Sequence, residues 1–239
     1  MALALLSKGH EVRGLTRSKK SANELDSLGI IPVLGELDNL DILKSEAFRA
    51  DAVINTASAD HLDAVLALLD GLTSNHQKFI HTSGSSIIGD DARGNQLSSS
   101  IFKDDTPLRV DVRKQARRNI DLKVLEAASA GIQSCVIIPS LIYGYGLGIQ
   151  KNSIQVPFLV RNAIENDAVQ IVGKGLNAWS NVHIEDLVDL YLLALEKAPA
   201  GASYFAENGE ATFLEIAQSI SARLNIPSIE HLPAETAAD

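Results

Sequence analysis

Short apolar runs alternate with amphipathic segments through residues 11–139, and the joins between them are brief. EVRGLT (11–16), IIPVL (30–34), DAVINTAS (51–58) and KFIHTS (78–83) read as strands. Residues 2–8 read as the end of a helix, closed by Gly9 as its C-cap. Ser21 and Glu24 have capping-box spacing, so a short helix should follow them with Leu25 and Leu28 inward, ended by Gly29. Residues 39–48 are expected to be helical. HLDAVLALLDGL (61–72) reads as an amphipathic helix with Leu62, Val65, Leu66 and Leu69 on one face. Strands and helices in strict alternation predict an α/β fold, a parallel sheet with helices on both faces.

The stretch SCVIIPSLIYGYGLG (134–148) is the focus of that pattern. Its first residues form a buried strand, and Pro139 stops the ladder because it has no N–H to donate. Gly144, Gly146 and Gly148 then give the backbone turns that other residues resist. In open α/β sheets, ligands bind at such strand ends. Before it, residues 84–111 are rich in Gly, Ser and Asp and read as a loop. A long helix from about 112 to 130 follows, with a polar first half. Its second half should bury Ile120, Leu122, Val124, Leu125 and Ala128.

After Gly148 the order changes. Residues 153–164 read as a helix with Pro157 in its first turn, and AVQIVG as a strand. A short strand then feeds an apolar helix, and ASYFAEN makes another strand. Thr212 and Glu215 form a second capping box. The 239 residues suit one large domain with a small second lobe. The net charge of −9 argues against nucleic-acid and anionic-membrane partners. A single cysteine, Cys135, cannot form an intramolecular disulfide, so a reducing, cytoplasmic compartment is expected. No apolar run approaches a membrane span, and residues 1–11 lack a signal peptide's basic leader.

IIPSLIYGYGLG resembles the R-P-x-x-[IV]-[YF]-G-x-G stretch of the extended short-chain dehydrogenase/reductases, the NAD-dependent epimerase/dehydratase family. Asn181-Val-His183-Ile-Glu-Asp186 resembles a second element of that family, in which His183 is an architectural marker rather than a catalyst. The resemblance implies a Rossmann-like doubly wound sheet over residues 1–150, with residues 151–239 as a smaller substrate lobe packed on it. It implies a nicotinamide cofactor and a small carbonyl or alcohol substrate. The cofactor segments would be Arg17, Glu36, Leu37, Thr56, Ala57, Ser58, Thr82, Ser83, Pro139, Ile142 and Tyr143. At the end of the second family strand an acid suits the 2′-hydroxyl of NAD, and an arginine suits the 2′-phosphate of NADP. Arg17 stands there with no acid beside it, so NADP is expected over NAD.

Two family features are missing. The family's opening strand and glycine-rich pyrophosphate turn do not precede residue 2, so the chain is expected to be N-terminally incomplete. The Tyr-x-x-x-Lys dyad is absent too: Gln115 and Asn119 occupy its positions, and Gln115 cannot act as a general acid. Gly84 falls at the usual serine, which leaves Ser85 as the catalytic candidate nearby. The cluster Arg109, Arg113, Lys114, Arg117 and Arg118 is either a solvated helix face or a receptor for an acidic ligand. Three readings remain: a redox enzyme, a cofactor-binding sensor or scaffold, and an incomplete chain of either.

Overall fold

The computed structural model describes residues 1–73 and 76–236. The first half alternates as the sequence requires: α1 (Ala2–Ser7), β1 (Arg13–Thr16), α2 (Lys19–Ser27), β2 (Ile31–Leu34), α3 (Leu40–Arg49), β3 (Ala52–Asn55), α4 (Leu62–Gly71), β4 (Lys78–Thr82). Then come α5 (Gln115–Glu126), flanked by 3₁₀ turns, and β5 (Gln133–Pro139). The second half comprises β6 (Leu141–Tyr143), α6 (Gln155–Asn166), β7 (Val169–Val172), β8 (Ala178–His183) and α7 (Ile184–Lys197). It ends with β9 (Ala202–Ala206), β10 (Glu210–Thr212), α8 (Phe213–Leu224) and β11 (Ile229–Leu232).

The main sheet is parallel, in the order β3-β4-β5-β9. Strand geometry sends alternate side chains to opposite faces. Phe79, Val136 and Ile138 therefore join a core with α3, α4 and α5, while Ile80, Cys135 and Ile137 join a second core with α7. Helices cover both faces, which is the doubly wound arrangement. β1 and β2 form a separate parallel pair, and one edge of β1 and one edge of β3 have no ladder partner among the described residues. α3 carries that pair: Leu43 and Ala47 lie in the first core, and Glu46 accepts from Arg13 of β1 at 2.6 Å.

Segments after residue 150 serve both parts. α7 and β9 complete the main sheet, whereas α6, β7, α8 and β11 enclose a third core of Ala163, Val169, Ile171, Ala217 and Ile220. Residues 237–239 of the expected second lobe lie outside the described residues. The outer edge of β9 is blunted where Phe205 N–H donates to Asp104 from the long loop, at 2.7 Å.

Three local expectations need correction. The N-cap of α2 is Ser18, not Ser21: Ser18 has extended backbone and its hydroxyl accepts from Ser21 N–H, so the helix begins three residues earlier. α4 buries Ala64, Val65, Leu68 and Gly71, leaving Leu62 and Leu66 exposed. Small residues turn inward because α3 comes very close; a Cβ on Gly71 would sit 2.4 Å from the Lys44 carbonyl oxygen. On α5, Leu122 is exposed and its neighbour Asp121 is fully buried. The Thr212–Glu215 capping box is present with both reciprocal hydrogen bonds.

Gly71→Ala should destabilise the protein by about 1–3 kcal/mol through overpacking, read as a lower urea midpoint. Amide exchange should also rank the sheets. The β1–β2 pair, each strand of which has a ladder partner on one side only among the described residues, should exchange faster than β4 and β5, whose ladders have partners on both sides.

Candidate functional site

Each parallel strand of the main sheet, and β1 and β2 beside it, ends in a short polar or small-residue segment. Arg17 follows β1 and is exposed, with no ion pair among the described residues. Glu36 and Leu37 follow β2; Glu36 is exposed, and its N–H donates to the Asn39 side chain at 2.7 Å. Leu37 packs on the first core. The next residue, Asp38, meets His61 at the start of α4, 3.1 Å away, which ties the β2 end to the loop after β3. Thr56 and Ala57 are exposed and Ser58 is half-buried. Their turn is held by buried Asn55, whose Oδ1 accepts from Ala57 N–H at 3.1 Å.

The end of β4 faces both ways. Thr82 is hydrogen-bonded to the Tyr191 hydroxyl of α7, and burial pushes that phenol up to about 12. Ser83 turns to the other face, where its hydroxyl donates to Asp121 at 3.0 Å. Both side chains are therefore committed within the protein, and Ser83 N–H donates to the Ile137 carbonyl at 2.8 Å. Pro139 is buried at the end of β5. Ile142 is half-buried and Tyr143 exposed, its ring edge-on to His183 at 5.2 Å. His183 caps α7 by accepting from Glu185 N–H, and its ring lies against Gly144, where a Cβ would come within 2.4 Å of Nε2. Gly144 has φ +103°, so both space and backbone require glycine there.

Behind these ends lies a buried polar cluster that the sequence does not announce. Asn55 Oδ1 is occupied by Ala57, so its amide Nδ2 donates to His81 Nδ1 at 3.1 Å. That makes Nδ1 the acceptor and places the ring proton on Nε2. Nε2 points toward Asp121 Oδ1 at 3.9 Å, too far for a hydrogen bond. Arg118 Nη1 lies 3.8 Å from the other oxygen of Asp121. Burial holds His81 down at about 4, so it is neutral and the contact is not an ion pair. Burial raises Asp121 to about 6, against the pull of Ser83 and Arg118.

The basic cluster is divided by its partners. Arg117 donates twice to Asp60 and once to Ser86 at 2.8 Å, clamping the loops after β3 and β4 to α5. That bond holds the Asp60 carboxyl below its ordinary range. Arg113 is paired with Asp111 at 2.8 Å. Gln115 and Asn119, expected from the resemblance at the dyad positions, are exposed and hydrogen-bond to each other at 2.8 Å. Ser85 is half-buried at the start of a 3₁₀ turn whose next residue, Ser86, meets Arg117. Asn55, Asp60, His81 and Asp121 were not singled out from the sequence. Their only signal there is polarity at the ends of apolar runs.

The model of the NAD dependent epimerase/dehydratase family matches residues 1–206. The chain belongs to that family. An uncharacterized protein of Schizosaccharomyces pombe is 31% identical, over 94% of this chain and 76% of its own length. The oxidase ucsJ of an Acremonium species is 30% identical, over 92% of this chain and 73% of its own length. Among solved structures, the dTDP-glucose 4,6-dehydratase DesIV of Streptomyces venezuelae, with NAD and TYD bound, superposes with a TM-score of 0.78. It shares 17% identity, over 97% of this chain and 80% of that one, a likeness of fold. In this epimerase/dehydratase family member, as described, no helix is long and apolar enough to cross a membrane.

His81 and Asp121 should oppose each other in stability against pH. His81, lowered from 6.5 to about 4, contributes stability that grows as pH rises through that range. Asp121, raised from 3.8 to about 6, contributes stability that is lost as pH rises through nearly the same range. Asp121→Asn should leave the histidine alone, so the urea midpoint should climb between about pH 4 and about pH 6.5. His81→Gln should give the reverse slope. Parallel profiles in the two variants would show that the groups are not buried as described.

Proposed function

We propose that this chain is an NADP-dependent oxidoreductase acting on a small carbonyl or alcohol. The observation that carries the reading is Arg17, exposed at the end of β1 and with no ion pair among the described residues. An arginine fork whose donors are not already spent suits a phosphate dianion. Thr56 and Ala57 offer small exposed surfaces for close approach, and Glu36, Leu37, Ser58, Thr82 and Ser83 would border the same cofactor. Pro139, Ile142 and Tyr143 would border the nicotinamide end. A bound nicotinamide supplies or accepts the hydride. The chain's own task is to hold the carbonyl or alcohol still and to keep a proton donor near its oxygen. Gln115 and Asn119 have no proton to exchange at neutral pH, so Ser85 or water beside it takes that place.

A second reading has its own support. On the resemblance, Gln115 and Asn119 stand where the family has its acid and its lysine, and Gln115 donates to Asn119. A cofactor-binding sensor or scaffold is consistent with that pair.

A calorimetric titration beside NADPH oxidation over a panel of aldehydes and ketones separates the two. Turnover supports the enzyme, and binding without turnover supports the sensor. Arg17→Glu should weaken NADP binding by roughly 1.5–3 kcal/mol and leave NAD little changed. Equal affinity for both cofactors in the unmutated protein removes the basis for NADP preference. Gln115→Ala should change turnover far less than the ~10²–10⁴ lost on removing a general acid. A loss of that size would overturn the assignment of its role.

A further inference from the structure

Among the described residues, Arg117 is the α5 side chain that bridges the loop after β3 to the loop after β4. Residues three or four apart on a helix share a face. Gln115, Asn119, Leu122 and Glu126 make one such line, and all four are exposed. Arg117 lies on the other line, with buried Ile120, Asp121 and Val124. Its Nε donates to Asp60 Oδ1 at 2.7 Å and its Nη2 to Oδ2 at 2.5 Å. That two-bond grip fixes the plane of the guanidinium. Nη1 then donates to Ser86 Oγ at 2.8 Å. Gly84, where the resemblance expects the usual serine, makes room for it: a Cβ there would press on Nη1 at 3.3 Å.

Ser86 Oγ thus accepts from a cation, while its own proton has no acceptor among the described residues. Ser86 is exposed, so that proton is open to a ligand oxygen. A guanidinium that donates to an oxygen stabilises negative charge developing on it. The Asp60 carboxyl is held below its ordinary range by the same guanidinium, so it stays ionised at neutral pH and keeps the cation in place. Ser85, by contrast, has no side-chain hydrogen bond among the described residues.

We propose that Ser86 is the group that donates to the substrate oxygen, with Arg117 polarising its hydroxyl and Asp60 holding Arg117 in position. The proposal rests on the reading of the strand ends as a nicotinamide site, and it chooses Ser86 over Ser85 as the proton donor. In the reducing direction the carbonyl carbon takes a hydride from reduced nicotinamide, and the C=O π pair passes to oxygen. The Ser86 proton moves to that oxygen, and water returns a proton to Oγ. Arg117 keeps its own protons throughout and stabilises the charge on Oγ in between. Ser86 is then the catalytic residue, and Arg117 and Asp60 are positioning residues.

The test follows a bound carbonyl by infrared spectroscopy, apart from turnover. Cyclohexanone and acetophenone, each isotope-labelled at the carbonyl carbon, are added to the protein saturated with oxidised NADP, which cannot reduce them. A hydrogen bond to the ketone oxygen lowers its C=O stretch. Ser86→Ala should abolish that lowering, Ser86→Thr should restore it, and Ser85→Ala should leave it in place. Ser86→Ala should bind NADP as the unmodified protein does, because its side chain is exposed. Arg117→Lys, which cannot grip Asp60 and reach Ser86 at once, should weaken the lowering. The Ser86→Ala spectra decide the question whether or not that lysine variant folds. In turnover, Ser86→Ala should lower kcat roughly 10²–10³-fold, the loss typical of removing one such donor, with KM little changed. A bound ketone whose stretch is unmoved by Ser86→Ala overturns the proposal. An effect confined to Ser85→Ala overturns it too, and so does the absence of any bound carbonyl band. Failure to bind NADP overturns the cofactor reading instead, and the same spectra taken without NADP still decide whether Ser86 meets the carbonyl.

Discussion

The fold depends on β5 being buried on both faces at once. From Ser134 to Pro139 every residue is buried, and neighbours along the strand face different cores. Such a strand can exist only where helices cover both sides and ladder partners cover both edges. β4 and β9 supply the edges, α5 and α7 the faces. The thiol of Cys135 is part of this burial; desolvation pushes it up to about 11, which makes it packing rather than chemistry. Because the strand must leave this environment in one direction, Pro139 and the glycines after it open where the other parallel strands also end.

The same burial explains the polar cluster under the strand ends. His81 follows Phe79 with strand periodicity and therefore enters the first core. A neutral imidazole there needs a donor, which Asn55 provides from the adjacent strand in register with it. Asp121 arrives from α5 with only Ser83 at hydrogen-bonding distance, and Arg118 just beyond. Burying such groups is costly unless they are paired, and these are paired incompletely: His81 Nε2, Asp121 Oδ1 and Arg118 Nη1 are buried without a hydrogen-bond partner. The cluster fixes how α5 sits on the sheet, and hence where Gln115, Arg117 and Asn119 stand over the strand ends.

Arg117 shows how α5 is fastened to the strand ends. Its guanidinium spans three segments, reaching Asp60 after β3, Ser86 after β4, and α5 beneath. A planar fork suits that bridging role better than an ammonium group would. On a helix face that reads as uniformly basic, Arg113 and Arg117 are therefore spent on Asp111 and Asp60.

The order of elements, the strand ends, the Thr212 cap and the element around His183 are all legible in the sequence, because each rests on local periodicity or on residue types with fixed backbone roles. Which side of α4 turns inward is not legible, because it depends on Gly71 letting a neighbouring backbone approach, and hydrophobicity cannot report that. Nor is the exchange of burial between Leu122 and Asp121, since an acid enters a core only where a particular serine from another strand awaits it. The pairings of Arg113 with Asp111 and Arg117 with Asp60 are likewise silent in composition. The sequence by itself determined a parallel α/β fold and where its strands end. Only the tertiary structure decided which polar groups are spent on one another and which stay available, because partnership depends on distances between segments far apart in the chain.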